Sequence, residues 1–132
     1  MSLVALVVDD SMLIRHTVCR FLEERGFTVG SATNGQEALE ALKRVRPDII
    51  VTDIQMPTMS GTELITAVKS DPGLAAIPIV IVAGKQSGFE KTETRANFTI
   101  FKDINIEDQL GKALNVVLGA KATKAKAAKS SE

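Results

Sequence analysis

Residues 3–11 read Leu3-Val4-Ala5-Leu6-Val7-Val8-Asp9-Asp10-Ser11. Six apolar residues run on without alternation and stop at two aspartates. A run of that length is a strand, and its lack of alternation means that both faces are buried, as in a parallel sheet. Ser11 or Asp10 can cap a helix behind it. Met12 to Arg25 continues at mostly helical spacing, and Gly26 stops it as a C′ residue. The same unit recurs down the chain. Phe27–Ala32 is a short second strand. Asn34-Gly35 caps a helix with Ala38, Leu39, Ala41 and Leu42 on one face, and Pro47 stops it. Ile49-Ile50-Val51-Thr52 is a third strand ending at Asp53. A loop, Ile54 to Gly61, leads to a helix from about Thr62 to Lys69, and Asp71-Pro72-Gly73 is a turn. Ile77–Val82 contains a fourth strand, with Pro78 where a missing donor is tolerated. Residues 84–96 are polar and weakly periodic. Phe98–Phe101 is a fifth strand ending at Lys102, and Ile106–Leu118 a last amphipathic helix. Five alternations of strand and helix specify an α/β fold: a doubly wound parallel sheet with right-handed crossovers and helices on both faces.

The composition excludes several functions. A chain of 132 residues fits one domain. With no Trp, no Tyr and five Phe, the core is aliphatic and base-stacking platforms are not expected. One cysteine, Cys19, excludes an internal disulfide and a thiolate zinc cage. One histidine, His16, excludes a multi-histidine metal site. No apolar run approaches the ~20 residues of a membrane helix, and no basic region precedes Leu3–Val8 as in a signal peptide. The cytoplasm is the expected compartment. Charge is balanced but uneven: residues 120–132, AKATKAKAAKSSE, hold four Lys and one Glu. The division expected is a domain over 1–119 and a Lys/Ala-rich tail over 120–132, a solvated or frayed extension of the last helix. The rest of the chain is mildly acidic, so no direct nucleic-acid binding is expected.

In doubly wound sheets, ligands bind beyond the carboxyl ends of the strands. Asp9 and Asp10 follow strand one, Asp53 follows strand three and Lys102 follows strand five. Taken singly, an aspartate after a strand is a helix cap and a lysine a snorkelling surface residue. Taken together they gather charge at one sheet edge. Carboxylates crowded without a positive partner repel one another unless a cation sits among them. An all-oxygen set points to a hard ion, Mg²⁺ before Zn²⁺. A lysine opposite neutralises phosphoryl charge, and a carboxylate left partly free can attack phosphorus. The other polar and sulfur residues read as structural. Met56 and Met59 anchor the loop, Pro57 and Gly61 shape it, and His16 and Cys19 belong to the first helix.

These residues resemble a response-regulator receiver domain. The likeness runs through V-V-D-D-S-x-x-x-R (Val7 to Arg15), I-V-T-D-I-Q-M-P-x-M-S-G (Ile50 to Gly61), I-P-I-V-I-V (Ile77 to Val82) and Phe101-Lys102. It covers about residues 3–118. It implies a flavodoxin-like sheet of order 2-1-3-4-5. It also implies that Asp53 is the phosphoacceptor, that Asp10, Asp53 and the backbone carbonyl of Gln55 bind Mg²⁺ with Asp9 assisting through water, and that Lys102 contacts the phosphoryl group. The implied donor is a phosphohistidine on a sensor histidine kinase or a histidine phosphotransfer protein. The implied output is contact with a downstream protein by a single-domain regulator, monomeric or weakly dimeric.

Three positions depart from the family pattern. Ala83 stands where a Thr or Ser ends strand four, Thr99 at the aromatic switch position of strand five, and Asp103 where a Pro follows the lysine. The acceptor and metal residues are intact while the conformational readout is altered. A second reading is therefore a phosphorylation-independent interaction module. A third, a Mg²⁺-dependent phosphohydrolase, lacks an acid–base carboxylate at Gln55 and a substrate-capping insertion.

Overall fold

The computed structural model describes residues 3–54, 56, 58–84, 96–102 and 105–118. Its strands are β1 (Val4–Val8), β2 (Thr28–Ala32), β3 (Ile49–Asp53), β4 (Ile79–Ala83) and β5 (Phe98–Phe101). Four helices lie among the described residues: α1 (Met12–Glu24), α2 (Gly35–Leu42), α3 (Gly61–Ser70) and α4 (Ile106–Leu118). The strands form one parallel sheet in the order β2-β1-β3-β4-β5, the order implied by the resemblance.

The unbroken apolar runs are explained by two cores, one on each face. Ala5 and Val7 of β1 join Val18, Phe21 and Leu22 of α1 and Leu110, Ala113 and Leu114 of α4. Leu6 and Val8 point the other way, to Ala38 and Leu42 of α2 and Leu64, Ile65 and Val68 of α3. β4 divides likewise, Val80 and Val82 to the first core and Ile79, Ile81 and Ala83 to the second. Cys19 packs at the margin of the first core and Met56 at that of the second.

Local chemistry sets the boundaries. Ser11, rather than Asp10, caps α1, its hydroxyl accepting the Ile14 N–H at 3.3 Å. Asn34 caps α2, as its sequence predicts. α2 ends at Leu42, short of Pro47, which is buried. Ser60 and Glu63 form a reciprocal capping box, so α3 opens at Gly61. β4 starts at Ile79, after Pro78, and reaches Ala83. Asn97 brackets its first residue, the side chain accepting the Ile79 N–H and the Asn97 N–H donating to the Ile79 carbonyl. At the other end of β5, the Gln109 carboxamide accepts the Phe101 N–H at 3.0 Å and donates to the Phe101 carbonyl at 2.8 Å. No helix among the described residues is long and apolar enough to cross a membrane. Residues 85–95, Asp103 and the 120–132 tail lie outside the described residues.

Candidate active site at the carboxyl edge of the sheet

Three strand ends build the site, those of β1, β3 and β5, with β4 between the last two. β1 and β3 are neighbours, pairing Val8 with Thr52, so Asp9 and Asp53 leave the sheet side by side. β4 pairs Ala83 with Phe101, and the Lys102 N–H donates to the Ala83 carbonyl at 3.0 Å, which carries Lys102 to the same edge. Its ammonium lies 3.0 Å from Asp53 Oδ2 and 3.7 Å from Asp9 Oδ2. One carboxylate oxygen from each of Asp9, Asp10 and Asp53 falls within 4.8 Å of the others. Asp9 and Asp53 are only 1% and 4% exposed, whereas Asp10 faces solvent. The four side chains singled out in the sequence are thus brought together. Gln55 lies outside the described residues.

Backbone groups orient the buried pair. Asp9 Oδ1 accepts the Ser11 N–H at 2.9 Å, and Asp53 Oδ1 accepts the Ile54 N–H at 2.8 Å. That leaves Asp9 Oδ2 buried without a hydrogen-bond partner. A buried carboxylate oxygen in that state is costly. An oxygen-only cluster with one uncommitted buried oxygen fits a hard divalent cation. Asp9, Asp10 and Asp53 are the described residues able to hold one.

The energetics carry the same mark. Burial is the largest influence on Asp9 and, with the Asp53 and Asp10 charges, pushes its carboxyl up to about 6 against the Ser11 N–H and Lys102. Burial also raises Asp53, opposed by Lys102 and the Ile54 N–H. Burial pulls the Lys102 ammonium down, but the bond to Asp53 and the surrounding carboxylates outweigh it, and the net shift is upward. A pH dependence follows. Unfolded, Asp9 titrates near 3.9; folded, near 6, so the folded state holds more protons in between. Its stabilising contribution is complete below about pH 4 and is lost as pH rises through about 6. The loss is about 1–2 kcal/mol once solvent screening is discounted. In chelator, the thermal midpoint of the native protein relative to Asp9→Asn should therefore drop between pH 4 and pH 7. Parallel curves for the two proteins would contradict this account of Asp9.

Two residues support the site in ways the sequence reading did not assign, having placed Arg15 only in a motif and Gly61 only in the shape of the loop. Arg15 Nη1 donates to the Asp9 carbonyl at 2.8 Å, bracing the turn that carries both aspartates. Its place in D-D-S-x-x-x-R, one turn into the helix, was the available signal. Gly61 donates to the Ile54 carbonyl at 2.7 Å, and a Cβ there would collide with the Asp53 carbonyl. Ala83, the first of the two switch positions, is buried and offers no hydroxyl to the site. The second, Thr99, is half-buried and faces Ile81 in register.

The family model for the response regulator receiver domain matches residues 5–115. Protein-glutamate methylesterase/protein-glutamine glutaminase of Clostridium acetobutylicum is 42% identical over 90 residues, 66% of this chain but 26% of that protein. The chain thus spans about a quarter of that curated relative. The chemotaxis response regulator CheY4 of Vibrio cholerae superposes with a TM-score of 0.80 at 32% identity, over 89% of this chain and all of that one. The receiver domain of the sensor histidine kinase PA1611 of Pseudomonas aeruginosa, solved with magnesium in its active-site cleft, has a TM-score of 0.81 at 20% identity, over 90% and 99% of the two chains. Sequence motifs, sheet order and the whole-length match to CheY4 agree, and the chain belongs to the response regulator receiver domain family of two-component signalling.

Proposed function

We propose that this receiver domain accepts a phosphoryl group on Asp53 and passes a signal on by contact with another protein. The donor is a phosphohistidine on a sensor histidine kinase or a histidine phosphotransfer protein. The observation that carries this reading is Asp53 itself: a buried carboxylate held by one N–H and one ammonium, at the edge of a three-aspartate cluster.

In this reading Asp53 Oδ attacks phosphorus, the P–N bond to the donor imidazole breaks, and the imidazole nitrogen leaves with the electron pair and is then protonated from solvent. Asp10, Asp53 and the Gln55 backbone carbonyl would hold Mg²⁺, with Asp9 assisting through water; the PA1611 domain was solved with magnesium in its active-site cleft. When bound, the ion neutralises charge on the transferring phosphoryl oxygens. Lys102, already 3.0 Å from Asp53 Oδ2, turns to the phosphoryl group that forms there. Water later cleaves the acyl phosphate and restores the carboxylate. The only chemistry is the chain's own phosphorylation and dephosphorylation, with no direct binding of nucleic acid or membrane. The working unit is residues 1–119, in the cytoplasm, as a monomer or weak dimer, with 120–132 as an appended tail.

Ala83 favours a second reading, a module that binds its partner whether or not Asp53 is modified. Mass measurement after incubation with Mg²⁺ and acetyl phosphate separates the two. One added phosphoryl group, labile to hydroxylamine, supports the first. Unmodified protein supports the second.

A further inference from the structure

We propose that Gly35, the first residue of α2, is a positioning residue for the phosphoacceptor site, because its missing side chain makes the seat in which Met59 holds the connection leaving Asp53. A Cβ built on Gly35 would lie 2.7 Å from Met59 Cγ, 2.9 Å from Sδ and 3.0 Å from Cβ. A change of Met59 rotamer would clear Cγ and Sδ but not Cβ, which moves only with the backbone. The Gly35 N–H donates to the Met59 carbonyl at 3.2 Å, so backbone and side chain of Met59 are held together.

The connection is held at its origin too. Ile54 donates to Asp53 Oδ1 and its carbonyl accepts the Gly61 N–H. Between the two anchors, Thr58 has φ 70°. A β-branched residue there is strained, and such strain persists where the surroundings over-determine the backbone. A side chain at position 35 therefore displaces Met59 and, through the strained segment, Ile54, which is bonded to the reacting carboxylate. Helix propensity alone would favour alanine over glycine, so packing and propensity predict opposite results.

The proposal rests on the reading of Asp53 as a metal-assisted phosphoacceptor, and the test separates the two. ¹⁵N-labelled native protein, Gly35→Ala, Met59→Gly and the double variant are compared without metal and during titration with MgCl₂. Without metal, Gly35→Ala should shift the amides of Asp53, Ile54 and Gly61, well beyond α2. With metal, its affinity for Mg²⁺ should fall about tenfold, the lower end for residues supporting metal ligands. The double variant should return to within about twofold of Met59→Gly, since the three Met59 atoms that the new Cβ meets are then gone, and rescue of that kind is not expected of a general loss of structure. Changes confined to α2, or a double variant no better than Gly35→Ala, would overturn the proposal. Native protein without a saturable Mg²⁺ response would overturn the phosphoacceptor reading instead, and the metal-free amide shifts would still decide the role of Gly35.

Discussion

Asp53→Asn, incubated with Mg²⁺ and acetyl phosphate, should take up no phosphoryl group under conditions where the native protein takes up one. The amide oxygen carries no negative charge and is a feeble nucleophile, and neither Asp9 nor Asp10 stands in its place. Asp9 is tied to the Ser11 N–H, and Asp10 lies out in solvent. The fold should survive, because the substitution removes a buried charge whose pKa burial has already raised. Lys102→Ala should behave differently. It withdraws charge and a hydrogen bond but not the attacking atom, so phosphorylation slows without vanishing. Its metal-free protein should be less stable, since the Asp9 and Asp53 carboxylates then face each other without compensation. An acyl phosphate on Asp53→Asn would falsify the assignment of the nucleophile.

Loss of Asp10 should remove Mg²⁺ binding almost as completely. Each unit of charge about 4 Å from a divalent ion is worth about 2 kcal/mol even at the dielectric constant of water, or ~30-fold in affinity. Asp10 is the exposed member of the cluster, so Asp10→Asn costs the apo protein little and relieves its repulsion with Asp9 and Asp53. Calorimetric titration should show at least that ~30-fold loss, and urea denaturation in chelator should show unchanged or slightly higher stability. Equal Mg²⁺ affinity in the two proteins would remove Asp10 from the site.

Much of this was legible because two kinds of signal overlap in the strand ends. An unalternating run such as Leu3–Val8 means a strand covered on both faces, and the two cores confirm it. A carboxylate directly after such a run lies at the sheet's carboxyl edge, so Asp9 and Asp53 could be placed before any distance was measured. Boundaries were harder where local and tertiary effects compete. The helix reading ran α2 on to Pro47, but α2 ends at Leu42. Ser60-Gly61-Thr62-Glu63 carried a capping-box pattern that placed α3 one residue earlier than the apolar periodicity did. Pro78 cannot donate, and the Asn97 side chain takes the next N–H, so the regular ladder begins at Ile79. Contacts between residues far apart in the chain left no trace in its pattern. Met59 seated on Gly35 is one, and Gln109 closing on Phe101 is another.

That glutamine has a consequence beyond the site. A sheet's outermost strand is a template onto which another chain can zip, and open edges are where folded proteins begin to aggregate. β5 is such a strand, ending beside the one lysine the site depends on. At Phe101 the Gln109 carboxamide presents the acceptor and donor that an incoming strand would bring. The last rung of the ladder is thus occupied from within, and an invading chain would have to displace a helix side chain to pair at Phe101, next to Lys102. At this rung the open edge is closed by one amide of the last described helix.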